Sequence, residues 1–223
     1  MRLLFTAILY LNILVSLISF IFACILLKRS KGNAIYFNFG MAVLFLGTWA
    51  AEIFLLFFKG GILLANLSYL FGIWILHYFL LFTYLYPVAS PKLRYKFIIF
   101  YFFTLLVSTS IFIPKLYTTK AVVDFPYLYF SANPVGVTIF SVYFAFLSVL
   151  AFKNLITKYL QSDGIFKKYL FKIILGTGIA IFFNFIFSIN IYYFTEFDTT
   201  PIGMLFTFSA LAYIYSILFS KKI

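Results

Sequence analysis

From Ile173 to Phe194 the chain runs twenty-two residues without a charge, after Lys167, Lys168 and Lys172 and before the polar stretch Thr195, Glu196, Phe197, Asp198, Thr199 and Thr200. A second apolar run, Pro201 to Phe219, follows at once and exits on Lys221 and Lys222. At about 1.5 Å per residue the first run crosses a hydrocarbon layer of about 30 Å, and the second nearly does. The pair therefore reads as a helical hairpin across a bilayer. Thr200-Pro201 predicts a sharp restart, with Thr200 as N-cap and Pro201 in the first turn, where its missing N–H is not needed. With Asp198 they form the candidate hinge. Asn184 lies in mid-helix, where an amide facing lipid is costly, so it is expected to turn toward other helices.

The rest of the chain repeats this pattern. Of its 223 residues 65% are hydrophobic and 10% charged, with mean hydropathy +1.10, whereas a soluble domain is about 45–50% apolar. No Pro/Gly/Ser-rich or polar linker divides it, so residues 1–223 are expected to form a single domain. The expected fold is an all-α integral membrane protein, a seven-transmembrane-helix bundle with spans 3–27, 34–58, 62–86, 97–113, 137–155, 173–194 and 201–220. Lys59-Gly60-Gly61 predicts a tight turn, Pro87 ends the third span, and 114–136 is the largest loop. Residues 153–172 are mixed enough to suggest a short interfacial helix. Gly40, Gly47, Gly176 and Gly178 mark places where helix backbones can approach closely.

The formal net charge of +12 does not point to nucleic acid, because the basic residues are dispersed among short loops and form no dense patch. Thirteen of the seventeen fall on alternate loops: 28–31, 92–96, 153–172 and 221–222. Arg2, Lys59, Lys115 and Lys120 share the other side with Asp124, Glu196 and Asp198. The positive-inside rule then places the N-terminus outside and the C-terminus inside, as an odd number of spans requires. The single cysteine, Cys24, excludes an internal disulfide. It sits in an apolar run that is too long for a signal-peptide core, so Leu3 to Leu27 reads as an uncleaved first helix.

Glu52 is the one acid inside an expected span, about 10 Å below the helix end at Lys59. Ionisable groups at such depth face a bundle interior or a cavity and often mark function. At matching depth lie Asn66, Ser68 and Tyr69 on the third span and Ser188 and Asn190 on the sixth, with Asn184 lower. Together with Trp49 these residues line an expected outward-open ligand pocket. The competing reading has Glu52 reaching the outer interface or fixed by a single amide as structural glue. His77, the one histidine, is expected to be a neutral packing residue beside Tyr78, since a lone His makes no metal site. No HExxH, glycine-rich phosphate loop or nucleophile with a base is present. No catalytic residue, metal or cofactor is therefore expected.

Gly176-Thr177 followed by Asn184, then Asp198-x-Thr200-Pro201, Phe206 to Tyr215 and a basic exit resembles the end of the N-terminal seven-helix region of bacterial sensor histidine kinases. Trp49-x-x-Glu52 followed by Tyr69 and Tyr86-Pro87 resembles that region's second and third helices, and Ser162-x-Gly164 before Lys167-Lys168 its long inner loop. The resemblance runs from about Asn38 to the end. It implies a sensor in the bacterial cytoplasmic membrane that receives an extracytoplasmic small molecule or membrane signal. The seventh helix would pass that signal to a cytoplasmic output domain or partner protein, in a homodimer. The phospho-accepting His and ATP-binding domain of such kinases lie after the seventh helix, and residues up to Ile223 contain neither. The alternative is a small transporter or transporter subunit, which needs a polar path through the bilayer.

Overall fold

The computed structural model describes residues 2–88, 93–187 and 198–219. Among these, seven α-helices and one hairpin follow in the order α1 (Arg2–Arg29), α2 (Ala34–Lys59), α3 (Ile62–Leu85), α4 (Leu93–Ser110), β1 (Thr118–Asp124), β2 (Tyr127–Ala132), α5 (Pro134–Gln161), α6 (Gly164–Phe185) and α7 (Thr200–Phe219). Helices α1, α2, α3, α5 and α7 are each long and apolar enough to cross a membrane. The apolar part of α4, Phe97–Ser110, is shorter. Helix α6 opens on its lysines, and residues 188–194 of the expected sixth span lie outside the described residues. The chain is thus a predominantly helical, multi-pass membrane protein.

Local chemistry sets most of the helix ends. Asn33 caps α2, its Oδ1 accepting from the Ile35 N–H at 2.9 Å, and Asn133 caps α5, accepting from Val135 N at 3.0 Å with Pro134 in the first turn. Helix α2 stops at Gly60, which takes φ 65° and donates its N–H to the Leu56 carbonyl, and Gly61 follows at φ 109°. Two glycines in succession are what that turn requires.

The structure departs from the sequence reading in three places. The loop 114–136 is not irregular: β1 and β2 pair antiparallel around Phe125–Pro126, with Ala121 opposite Phe130 and Asp124 opposite Tyr127, so the fold is not purely helical. β-branched and aromatic residues at Val122, Val123, Tyr127, Tyr129 and Phe130 suit a pleated, half-buried ribbon. No separate interfacial helix occupies 153–172 either. Helix α5 continues to Gln161 and α6 begins at Gly164, whose φ of 60° makes the corner. The reason is visible at Asn154 and Lys158, one turn apart on α5. Asn154 donates to the Thr83 hydroxyl at 3.3 Å, and the Lys158 ammonium donates to the Tyr84, Tyr86 and Val88 carbonyls at 2.7–2.8 Å. They hold this turn of α5 against the end of α3. Third, α4 ends at Ser110, three residues short of the expected boundary.

Helices α1, α2, α3, α5, α6 and α7 form a ring in that order, closed by α7 against α1 and α2, with α4 on α3's outer side. The α1–α2 contact is close because of the two glycines. A Cβ on Gly40 would meet the Leu26 and Leu27 side chains at 3.1–3.3 Å, and one on Gly47 would meet Ser19 Cβ at 3.1 Å. The Ser16 hydroxyl donates to the Gly47 carbonyl at 2.9 Å across the same contact. Aromatic pairs fill the wider spaces: Phe39 against Phe82, Phe45 against Trp74 and Phe22 stacked on Tyr215. The perimeter stays apolar, with Ile98, Phe102, Leu105 and Leu106 of α4 exposed as lipid-facing side chains.

The hairpin is packed onto one end of the ring. Leu128 is fully buried and its carbonyl accepts from the Asp198 N–H at 3.2 Å. Val123 lies against Gly60, and Tyr117, also fully buried, bonds the Ser110 hydroxyl through its phenol. The exposed Arg2–Asp124 pair, 4.0 Å apart, adds little. At the base of the hairpin a Cβ on Gly136 would lie 2.1 Å from the Leu116 carbonyl oxygen. Because the obstacle is backbone, Gly136→Ala must push the hairpin off α5, at a cost of about 1–3 kcal/mol. Its thermal midpoint in detergent is expected to fall below wild type, whereas Gly178→Ala, with only Phe152 at 3.8 Å nearby, is expected to match it.

Candidate functional site

Inside the ring lies a cavity of about 420 Å³ between α2, α3, α5, α6 and α7, bordered at one end by Phe130, Ala132 and Pro134 of the hairpin and α5. Its wall runs from Ala65 to Phe79 along α3 and from Thr200 to Ile214 along α7, about 20 Å of helix in each case. The volume is that of a small-molecule site. Polar side chains gather toward the hairpin end: Ser68, Asp198, Thr200, Asn184 and Thr207. Apolar ones such as Leu76, Phe79, Leu211 and Ile214 line the other end, beside Thr177.

Of the residues singled out from the sequence, Trp49, Ser68, Tyr69 and Asn184 line this cavity, as do Asp198 and Thr200. Glu52 stands behind the wall. It is 5% exposed, and its Oε2 accepts from the Ser68 hydroxyl at 2.7 Å, tying α2 to α3. Its Oε1 has no partner among the described residues, so the carboxyl is fixed by one atom and free at the other. Asn66 is not part of the site. It is buried, and its amide donates to the Ile111 carbonyl at 3.2 Å, covering the end of α4. Ser188 and Asn190 lie outside the described residues.

Asn184 faces helices, as its mid-span amide requires. Its Nδ2 donates to the Gly203 carbonyl at 3.1 Å and to the Thr207 hydroxyl, joining α6 to α7. The stacked pair Phe183–Phe206 reinforces the joint. At the hinge the capping differs from the sequence reading. The acceptor is Asp198, whose Oδ1 takes the Thr200 N–H at 2.8 Å, while Thr200 is already the first helical residue. Asp bonds its own backbone two residues on and so caps from further back. Thr199 donates its hydroxyl to the Phe187 carbonyl, and the Pro201 carbonyl lies 3.4 Å from the Asn12 amide of α1.

Thr207 and the hairpin's Phe130 and Ala132 were not among the candidate residues read from the sequence, and Thr177 entered only through the family resemblance. Thr207 was legible in principle, because an intramembrane Asn needs a partner on a facing helix. Nothing local marks the hairpin residues. A second polar cluster lies away from the cavity: the Thr104 hydroxyl contacts His77 Nδ1 and the Tyr143 phenol, each at 2.7 Å, joining α3, α4 and α5. His77 is fully buried and packs edge-on to Tyr78 and Tyr101. Among the described residues no three His, Cys, Asp or Glu side chains come together. In comparisons with known proteins the chain matches no family model and no curated sequence.

Asp198, 4% exposed, sits in the hinge ahead of α7. Burial raises its carboxyl above the ordinary carboxylate range, and hydrogen bonds from Thr200 offset part of the rise. The folded state then binds the proton more tightly than the unfolded state. The stabilisation is complete below the unfolded value of 3.8 and is lost as pH rises through the folded value. The thermal midpoint is expected to decline as pH rises from about 4. Asp198→Asn, which keeps the acceptor and removes the titration, is expected to flatten that decline, and an identical pH profile in the variant would reject the assignment.

Proposed function

We propose that the chain is the seven-span input region of a sensor, with the hairpin end outside and the basic end in the cytoplasm, like the seven-helix regions of the histidine kinases it resembles. The observation that carries this reading is the cavity itself: a site closed by an extramembrane hairpin at one end and bounded by the last helix along its length. A ligand there touches Thr200, Thr207 and Leu211 of α7 and, through Asp198, the backbone of β2. Occupancy that shifts α7 relative to α6 would be passed along the helix toward Ile223. The differential contact that a switch needs is thus available at the Asn184–Thr207 joint. The charge distribution supports the orientation, since Lys158, Lys167 and Lys168 lie at the end away from the hairpin.

Orientation is tested by cysteine labelling in a Cys24→Ser background. A cysteine at position 163 is expected to resist an impermeant reagent on intact cells, and one at position 125 to react. The reverse pattern would invert the topology.

Signalling is tested by joining Ile223 to a reporter kinase and comparing two substitutions. Glu52→Gln keeps an acceptor for Ser68 and removes the ionisable carboxyl, so it is expected to melt like wild type but respond less to inducing conditions. Glu52→Ala also loses the α2–α3 bond, at a cost of about 0.6–2 kcal/mol, and is expected to melt lower. Wild-type output from Glu52→Gln would leave Glu52 as glue alone.

A further inference from the structure

The cavity has an asymmetric lining and shares part of its wall with a groove on the bundle's outer surface. Three of its wall residues, Phe144, Ile181 and Phe185, also line a groove between α5 and α6. That groove is apolar, and Val149 and Phe182 along it are exposed at 65% and 59%, so it opens onto the hydrocarbon. Phe144, Ile181 and Phe185 thus form a wall shared by the cavity and the groove, whose lining is apolar apart from Ser148 and Lys153. Inside, the apolar end offers Leu76, Phe79, Leu211 and Ile214, whereas the hairpin end offers acceptors. Among the described residues no partner satisfies Glu52 Oε1 or Asn184 Oδ1 near that end, and Asp198 adds a second carboxyl on the cavity wall. Thr177 Oγ1 and Trp49 Nε1 are likewise buried and without a partner among the described residues, and both residues line the cavity. A buried acceptor left unpaired is costly, and a ligand that donates to it removes that cost.

We infer that the site takes a single-chain amphiphile from the bilayer, entering between α5 and α6, with its alkyl tail along the apolar end and an amine head donating to Asn184 and Asp198 on the cavity wall, beside the Glu52–Ser68 pair behind it. A fatty acid fits less well, because its carboxylate would face two carboxyl groups. A freely water-soluble ligand has no use for the apolar half of the cavity. This inference rests on the sensor reading for its consequence, but not for the binding itself.

Trp49 provides the readout. In a Trp74→Phe background it is the one tryptophan of the two in the chain that remains. With the purified protein in lipid nanodiscs, ω-bromoundecylamine is expected to quench it saturably, and unbrominated undecylamine to reverse the effect. Half-saturation for the amine is expected about five- to tenfold below that for ω-bromoundecanoic acid, a difference that one charge-assisted hydrogen bond supplies. Glu52→Gln is expected to narrow that ratio without abolishing quenching. Ala180→Phe or Leu211→Phe, each filling the cavity wall, is expected to abolish saturation, and either variant that keeps its thermal midpoint suffices. Quenching that rises linearly, persists in a folded plug variant, or favours the acid overturns the inference. The reporter fusion separates this from the sensor reading. Saturable binding with unchanged output upholds the site and rejects the sensor, whereas output driven by a soluble compound without amine quenching upholds the sensor and rejects the amphiphile.

Discussion

A polar group inside hydrocarbon has no water to turn to, and the architecture of this protein depends on meeting that constraint from helix to helix. Ser16 reaches the Gly47 carbonyl, Ser68 reaches Glu52, Asn66 reaches Ile111, Thr104 joins His77 to Tyr143, and Asn184 joins Gly203 to Thr207. Each bond links different helices or closes a helix end. Lys158 does the same on the largest scale, placing one ammonium on three carbonyls where α3 has run out of its own donors. Its four-carbon stem lets α5 carry the charge beside the membrane-buried part of the bundle while the head serves the end of α3.

Because lipid tails are as apolar as leucine, burial of apolar surface does little to bring these helices together. Close packing has to do it. The α1–α2 contact uses glycine, which lets the backbones approach until Gly47 is within reach of Ser16. The α6–α7 contact uses aromatics, with Phe183 stacked 4.0 Å from Phe206. Between α5 and α6 both devices are weaker: Gly178 meets nothing nearer than Phe152 at 3.8 Å, and Tyr159 and Phe171 pack with ring centroids 6.2 Å apart. That seam is where the groove lies, against the same wall that bounds the cavity.

The hairpin changes what the bundle can do. It fastens the α2–α3 turn through Val123 and Gly60, the hinge before α7 through Leu128 and Asp198, and the start of α5 through Leu116 and Gly136. The Asp198 bond to β2 and the Asn12 contact with Pro201 tie the start of α7 to the hairpin and to α1.

Membrane character, the main helical segments, the tight turn at Gly60–Gly61 and the inward turn of Asn184 were legible in the sequence, because each follows from local chemistry. Apolar length selects a span, an amide in mid-span must find a partner, and consecutive glycines permit a positive-φ turn. The sites of close approach at Gly40 and Gly47 were legible for the same reason. Only the tertiary structure decided the rest. Asn66 and Ser68 are two residues apart and equally polar, yet one covers α4 and the other faces the cavity, since their directions around α3 matter only once its neighbours are in place. Likewise 118–132 forms a ribbon and α5 outlasts its apolar run, because Leu128 and Lys158 meet partners far away in the chain. The cavity belongs to no segment at all. It is the space that five helices and a hairpin leave when their own contacts are satisfied.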